Sequence, residues 1–473
     1  MFKKTLMVTA MSATFVAAFA LPMRAFAADD KELSDIRAQM KSMKESYEAR
    51  MLALEKRLEQ AEAKDIQAQP APTLVELLPT AAPTQTRAAV SSANAFNPAV
   101  ALILSGKMAN LSQDPAHYRL QGFMPNGGEI GPGTRSFSLG ESELTLSANI
   151  DTNFAGQMTF SLAHDNTVSV EESFFQTKAL LDGSNFKVGR FLSSVGYLNG
   201  QHAHTWDFVD APLAYQAFFG GQYKPDGVQL KWLAPLDRYL EIGLELGNGA
   251  SFPGNDRNKN GFGASTLFAH IGDDIGENAS WRAGVSYLNT SAKNRTFEDL
   301  NFEGSSITNA FSGRSATWIA DAIFKWAPNG NSTQRNFKLQ GEFFRRNESG
   351  VLAYDTQAPS SIRNDVASVQ SGWYVQSVYQ FMPQWRVGLR YDKLNSGSPN
   401  FGQTNGVGLS MSDFPALLAF NPARSSIMFD YSLSEFSRLR LQFARDITRP
   451  GATDNQIFLQ YNMSLGAHGA HTF

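Results

Sequence analysis

The chain has 473 residues, no cysteine and a formal net charge of −3 at pH 7. The missing cysteines exclude disulfides and thiolate chemistry, and the mildly acidic balance argues against nucleic acid as a partner. The chain has 35 Phe, 13 Tyr and 38 Gly but few continuous apolar runs, a composition typical of a membrane β-barrel, in which every second residue faces lipid. Soluble β-sandwiches share part of this composition.

The first 27 residues predict an export signal. Lys3 and Lys4 precede an apolar run over residues 6–21, and residues 25–27 form an A-x-A cleavage site. We therefore expect the mature chain to begin near Ala28. Beyond this point no run of about 18 apolar residues occurs, so a membrane-spanning helix is not expected.

Residues 28–66 predict a helix with a heptad seam. The segment 29–66 contains no Gly or Pro, and its apolar residues recur at spacings of three and four: Leu33, Ile36, Met40, Met43, Tyr47, Met51, Leu54, Leu58 and Ala61. So narrow a stripe favours self-association as a coiled coil over packing against a globular domain. The alternative is an amphipathic helix that lies on the barrel or on a membrane.

Residues 67–98 are predicted to be a linker. Their composition shifts to Ala, Pro, Thr, Gln and Ser, with prolines at 70, 72, 79 and 83, which favours a semi-extended chain. We therefore expect the coiled-coil helix to stand away from the rest of the protein, in the periplasm.

Alternation of apolar and polar residues predicts strands throughout 99–473. In the stretch WRVGLRYD, residues 385–392, the apolar side chains occupy the odd positions and charged residues or glycine the even ones. Reading the region this way yields sixteen strands, centred near residues 104, 144, 158, 174, 189, 230, 243, 268, 284, 320, 340, 375, 389, 428, 441 and 460. We expect an all-β transmembrane barrel of about 16 antiparallel strands, since single-chain bacterial barrels have an even number.

The connections between the predicted strands alternate in length. Connections such as 235–237 and 382–384 are short and would face the periplasm. Those at 111–136, 193–227, 249–263, 291–313, 348–367 and 396–423 are long and would face outward. The brief connections at 164–167 and 448–452 are exceptions. A soluble sandwich has no reason to sort its loops in this way, so the alternation favours a closed barrel.

The C-terminal segment has a pattern of its own. Apolar residues alternate from Ile457 to Leu465, and the sequence ends on Phe473. A terminal Phe after an alternating strand resembles the assembly signal of bacterial outer-membrane barrels. This resemblance implies the barrel assembly machinery as a partner and the outer membrane of a Gram-negative bacterium as the location.

The third outward connection, residues 193–227 (the second is the brief one at 164–167), is predicted to fold into the lumen and narrow it, as the third external loop does in general porins. It carries Asp207 and Asp210, and we expect these basic side chains on the lumen wall: Arg282, Lys338, Arg386, Arg390, Arg424, Arg438 and Arg440. Opposed charges in a narrow lumen create a transverse field that favours ions of one sign. The alternative is that the arginines only pair with wall carboxylates: Glu241, Glu245, Asp321, Glu342, Asp392 and Asp446.

Two pairs of histidines suggest a metal site. On the loop, His202 and His204 could chelate one zinc ion with a carboxylate such as Asp207, and His468 with His471 forms a second pair. Neither pair is a specific zinc signature, and the alternative is that the histidines hydrogen-bond within a packed aromatic loop. Zinc is the one cofactor that the sequence suggests. No catalytic constellation is evident, so an enzyme is not expected.

The order of signal, heptad helix, Pro/Ala linker, barrel and terminal Phe resembles the DcaP-like trimeric porins, relatives of the phosphate-selective porins. The motifs that carry the likeness are KVGRF at 187–191, before the third loop, and DGVQLKW at 226–232, after it. The resemblance implies a homotrimer in outer-membrane lipid, a periplasmic coiled coil and diffusion of small anions such as dicarboxylates.

Two other segments resemble a different group. The loop sequence GYLNGQHAHTWDFVDAPL, residues 196–213, and the ending GAHGAHTF are similar to outer-membrane proteins labelled TonB-dependent or zinc-linked. Three functions therefore compete: a porin for small polar, anionic solutes, a zinc channel or receptor using His202 and His204, and an envelope-tethering barrel. A TonB-dependent receptor needs about 22 strands and a plug domain, so the porin is the leading hypothesis.

Overall fold

The computed structural model describes residues 98–126, 130–163, 165–178, 183–256, 259–301, 303–359, 361–402 and 408–466. The predicted export signal (1–27), the coiled coil (28–66) and the linker up to residue 97 lie outside the described residues. So do His468, His471 and Phe473. These predictions therefore stay predictions.

The described residues form one closed antiparallel barrel of sixteen strands. In chain order the strands are β1 Ala99–Leu111, β2 in two segments (Ser136–Leu139 and Ser142–Asn149), β3 Phe154–Leu162, β4 Val168–Thr177, β5 Ser184–Arg190, β6 Asp226–Leu233, β7 Tyr239–Gly247, β8 Ala264–Ile275, β9 Ala279–Leu300, β10 Ser306–Trp326, β11 Asn336–Tyr354, β12 Ile362–Met382, β13 Trp385–Asn395, β14 Ala423–Ser434, β15 Ser437–Arg449 and β16 Ala452–Gly466. All sixteen predicted centres fall inside these strands, which confirms the predicted count.

Two short segments belong to the wall without adding strands to it. Both parts of β2 pair with β1, so they are one strand interrupted at residues 140–141. Asn400–Phe401 pairs with β12 at Val366 and Ala367, as an extension beyond β13.

Closure and alternation give the barrel its two faces. β1 pairs with β2 on one side and β16 on the other, which leaves no open edge, as lipid requires of a spanning sheet. Neighbouring residues alternate between the faces: Leu389 is 56% exposed on the outside, whereas Arg390 is 3% exposed on the inside. Large apolar side chains, among them Trp318, Val375 and Phe443, cover the outer face.

The connections sort by length in part as predicted. At one end of the barrel, here the short end, the connections include 234–238, 276–278, 383–384 and 435–436. At the opposite end, the long end, 191–225 and 396–422 are long. Two predicted long loops are wrong: β9 and β10 are joined by residues 301–305 alone, and β11 and β12 by 355–361. Each of these four strands has 19 to 22 residues, about twice what a bilayer needs, and in the excess of β9 and β10 the outward residues are mostly polar, so an apolar outer face does not mark it.

The loop 193–227 lies inside the barrel and contains the one α-helix of the described residues, α1, Leu213–Phe219. Every residue of α1 is buried, and the helix packs against β11, β12 and β13. Phe218 stacks on Phe344 of β11, with 5.5 Å between ring centroids. The helix ends at Gly220, whose φ of 69° is the left-handed conformation that favours glycine. The aromatic residues therefore hold the loop in place.

The other helices of the described residues are single 3₁₀ turns: Pro115–His117, Ala203–Thr205, Pro328–Gly330, Met411–Asp413 and Pro415–Leu417. Within the described ranges every helix is too short or too polar to span a bilayer. Two long connections, 112–135 and 396–422, also contribute apolar side chains to buried clusters. Leu120 and Phe123 belong to the cluster around α1, and Phe414 and Leu417 pack in a second cluster with Phe311 and Leu352.

Candidate functional site

Asp207 of the loop contacts the basic wall directly. Its carboxylate lies 2.5 Å from Lys338 Nζ of β11 and 3.3 Å from an Arg386 nitrogen of β13. Burial alone would raise the pKa of Asp207, but the charges of Lys338 and Arg386 outweigh burial and hold the pKa below its ordinary value. The loop and the wall therefore meet as ion pairs at this point.

Asp210 makes a second contact of the same kind. It lies 2.8 Å from Arg390 Nη2 of β13 and 2.6 Å from Arg424 Nη1 of β14. Burial would raise the pKa of Asp210, but the two arginines hold it well below its ordinary value. Asp392 lies on the far side of Arg390, at 3.0 Å, and also accepts a hydrogen bond from Leu213 N at the start of α1. This network fixes the helix to the wall.

Wall carboxylates hold the backbone of the loop. Glu342 of β11 accepts hydrogen bonds from Tyr197 N and Leu198 N at 3.2 and 3.0 Å, and from Tyr215 Oη at 2.9 Å. Glu245 of β7 accepts from Ser193 Oγ at 2.5 Å and from Ser194 N at 2.9 Å. Among the carboxylates expected to pair with arginines, these two instead accept hydrogen bonds from the loop.

The histidines lie on the opposite flank of the loop, against an acidic part of the wall. His204 Nδ1 is 2.7 Å from Glu143 Oε1 of β2. His202 Nδ1 is 3.2 Å from Glu143 Oε2 and 3.2 Å from Glu171 Oε2, and its Nε2 is 3.1 Å from Glu172 Oε2. Burial lowers the pKa of His202, but its hydrogen bonds to Glu143, Glu171 and Glu172 outweigh burial, so the pKa lies well above its ordinary value.

A β-bulge explains why two consecutive glutamates face the histidines. In the pairing of β3 with β4, Thr159 lies opposite Glu172 and Phe160 opposite Val170, which leaves Glu171 without a counterpart. Both glutamates therefore point inward, with 1% and 5% exposure. The carboxylate of Asp207, predicted as a partner of the histidines, is held by Lys338 and Arg386. Glu143 is the carboxylate that contacts both histidines.

No family model matches the chain. A protein of Aquifex aeolicus (strain VF5), described as an uncharacterized protein, is 30% identical over 368 residues, which are 72% of this chain and 70% of that protein. The chain belongs to the family of this Aquifex protein. The family relation extends over most of both chains.

Two solved structures show how this family member compares with known barrels. A loop L8 deletion mutant of OmpT, an outer membrane protein of Vibrio cholerae, aligns with a TM-score of 0.49 at 10% identity, over 78% of this chain and 99% of that one. The outer membrane channel DcaP of Acinetobacter baumannii aligns with a TM-score of 0.44 at 12% identity, over 78% of this chain and 97% of that one.

The seven basic residues predicted for the lumen of this family member fall into two groups. Arg390, Arg424 and Arg440 are buried, and Arg440 pairs with Asp430 at 2.8 Å. These three side chains are closed off from the lumen, so the alternative interpretation, pairing within the wall and with the loop, describes them better. Four others remain half-buried along the lumen: Arg282, Lys338, Arg386 and Arg438.

Three further lysines, which were not predicted from the sequence, are also half-buried along the lumen. Lys187, Lys231 and Lys325 are half-buried, and each lies within a few residues of the short end, as the other four do. The signal was present in the alternation: Lys231 lies between the exposed Leu230 and Trp232, so its side chain points inward.

Proposed function

We propose that the protein is a porin in the outer membrane of a Gram-negative bacterium, through which small anionic solutes diffuse past the loop 193–227. One observation carries the proposal: seven half-buried basic side chains of the described lumen gather at the short end, namely Lys187, Lys231, Arg282, Lys325, Lys338, Arg386 and Arg438. A lumen lined by one sign of charge, with low-dielectric walls, raises the local concentration of ions of the opposite sign.

The chemistry of these side chains indicates the solute class. Lysine and arginine bind carboxylate and phosphate oxygens, and arginine can do so with two parallel hydrogen bonds. Three of the seven charges are partly compensated, since Lys231 pairs with Glu241 at 3.3 Å and both Lys338 and Arg386 pair with Asp207 of the loop. The remaining positive charge supports passage of small dicarboxylates or phosphates.

The loop supports an upper limit on solute size. It is fixed to β11, β13 and β14 through Asp207 and Asp210, and to β2 and β4 through His202 and His204. Because it is anchored on both flanks and carries a buried helix, it narrows the lumen. Large solutes are therefore excluded.

The rest of the proposal concerns assembly. The outer face of exposed apolar side chains supports contact with membrane lipid. We propose a homotrimer with a periplasmic coiled coil at 28–66. The barrel assembly machinery would recognise Phe473 and insert the chain into the membrane. These parts rest on the sequence resemblance.

The two other functions are less well supported. A zinc channel requires sites that bind weakly enough to release the ion, whereas His202 and His204 lie in a buried cluster that contacts three carboxylates. An envelope tether requires only an inert anchor. Such an anchor does not need seven basic side chains along its lumen.

Recording from planar bilayers tests the proposal. The purified protein, reconstituted alone, is expected to conduct in steps of three, and a salt gradient across the bilayer is expected to give a reversal potential of the sign that anion preference produces. Absence of conductance across voltages and salts would reject the channel and favour the tether. Conductance with cation preference would reject the role of the basic side chains but keep the channel.

A further inference from the structure

The cluster where the loop 193–227 meets β2 and β4 has the composition of a metal site. We propose that His202, His204, Glu143 and Glu171 bind one divalent transition-metal ion of the zinc class, and that this ion fastens the loop to the barrel wall. The ion would be a resident part of the constriction. The proposal therefore does not depend on which solute passes through the lumen.

The geometry of the donor atoms suits such an ion. One ligand atom each from Glu143, His202 and His204 lie within 4.8 Å of one another. Donor pairs are separated by 2.7 Å (His204 to Glu143) and 3.2 Å (His202 to Glu143 and to Glu171). Four ligands at about 2.0–2.1 Å in a tetrahedron lie roughly 3.3 Å apart, which is close to these three separations.

Glu172 is placed to hydrogen-bond the ring nitrogen of His202 that would not bind the metal, as carboxylates beside metal-bound histidines usually do. It lies 3.1 Å from His202 Nε2, on the side of the ring away from Glu143 and Glu171. A hydrogen bond donated from Nε2 to this carboxylate leaves the lone pair on Nδ1 free for a metal and fixes the ring orientation. Glu172 is itself held by the backbone N–H of Leu192, at 2.8 Å.

The charge of the cluster favours a cation. Glu141, Glu143 and Glu171 also offer oxygen atoms within 4.8 Å of one another, and Glu143 and Glu171 are 2% and 1% exposed. Lys224 compensates the second Glu171 oxygen from 3.6 Å. Carboxylates gathered in a buried site require compensating positive charge, which a divalent ion provides.

The donor set selects the class of ion. Two imidazole nitrogens with carboxylate oxygens suit zinc and its first-row neighbours, whereas calcium and magnesium prefer oxygen alone. Both histidines belong to the loop and the carboxylates belong to strands. One ion would therefore join the loop to the barrel wall, opposite the ion pairs of Asp207 and Asp210.

Direct metal binding tests the proposal. The full-length protein in detergent is stripped with a chelator and titrated with zinc at about pH 8, since the ligands bind metal when deprotonated. We expect about one zinc per chain by elemental analysis and calorimetry, and loss of that binding in His202→Ala with His204→Ala. Glu172→Gln is expected to keep one zinc per chain but to weaken binding by about 10- to 100-fold.

Two matched controls test other histidines of the chain. His117→Ala removes an exposed imidazole, and His468→Ala with His471→Ala removes the C-terminal pair. Both variants are expected to bind zinc as the unaltered protein does. Because a loop variant can fail to fold, cobalt is also added to the unaltered protein, where two imidazoles and two carboxylates predict the intense visible absorption of a tetrahedral complex.

Three outcomes would overturn the proposal: no zinc or cobalt bound by the unaltered protein, zinc binding that survives loss of both loop histidines, or binding lost with His468 and His471. Anion conductance of the metal-free protein is measured in parallel. Conductance without metal binding would reject the metal site and keep the channel. Metal binding without conductance would keep the metal site and reject the channel.

Discussion

Tyr215 Oη, on helix α1 of the loop, lies 2.9 Å from Glu342 Oε2 on β11, and both side chains are buried. The same carboxylate accepts hydrogen bonds from Tyr374 Oη and from the backbone N–H groups of Tyr197 and Leu198. One glutamate of the wall therefore joins the first turn of the loop to its helix. An acceptor with two oxygens is needed here, because every contacting group donates.

Glu342→Gln is expected to loosen the loop. The amide offers one acceptor oxygen and turns an NH₂ group toward donors, so the contact should lose about 1–3 kcal/mol. The expected result is larger and noisier single-channel current than in the unaltered protein. Glu303→Gln, at an exposed position, is the control and should leave the current unchanged. An identical recording from both variants would show that Glu342 does not hold the loop.

Asp210→Asn tests the ion pairs between the loop and β13–β14. The substitution removes the negative charge that Asp210 presents to the buried Arg390 and Arg424. Removing one partner of a buried ion pair costs about 3–5 kcal/mol of stability. We expect the loop to detach and the conductance to rise. Adding Arg424→Gln to the variant should recover part of the loss, since fewer unpaired charges then remain. Asp237→Asn, which is exposed, is the control. Additive effects in this double-mutant cycle would contradict direct pairing.

Much of the barrel can be predicted from the sequence, because lipid on one face and polar groups on the other impose a period of two. All sixteen strand centres follow from that period. The continuation of β9 from Ser291 to Leu300 does not: its outward residues are mostly polar, among them Lys293, Thr296 and Glu298, so the chain has the composition of a loop although it continues as a strand. Alternation marks the membrane-facing part of a strand and not its full length.

The candidate site is predictable only on the side of the loop. His202, His204, Asp207 and Asp210 stand out in the sequence, but the partners of the histidines are 30 to 61 residues away in the chain. Their proximity depends on strand register and on the bulge at Glu171. No local pattern encodes that register, so the sequence suggested Asp207 as the carboxylate beside the histidines, whereas Glu143 contacts both of them.

The pH dependence of the constriction follows from the pKa values of Asp207 and Asp210, which lie below the ordinary value. A lowered folded-state pKa contributes stability above the unfolded value and loses it as the pH falls through the folded pKa. The ion pairs should therefore survive acidification from about pH 7 to about pH 4. Conductance across that range should stay constant and rise only at lower pH. Asp207→Asn with Asp210→Asn should abolish the acid rise, and a rise already near pH 5 would contradict this assignment.

Selectivity should depend on the lysines that do not anchor the loop. Lys187, Lys231 and Lys325 line the lumen near the short end, so replacing all three with Gln removes positive charge without releasing Asp207. The expected result is a fall of the anion-to-cation permeability ratio toward unity, measured as the reversal potential in a salt gradient, with little change in conductance noise. The matched control replaces three exposed basic residues, Lys259, Arg335 and Arg363, with Gln and changes the net charge equally. If the control lowers the ratio as much as the lumen variant does, the overall charge and not the lumen sets the preference.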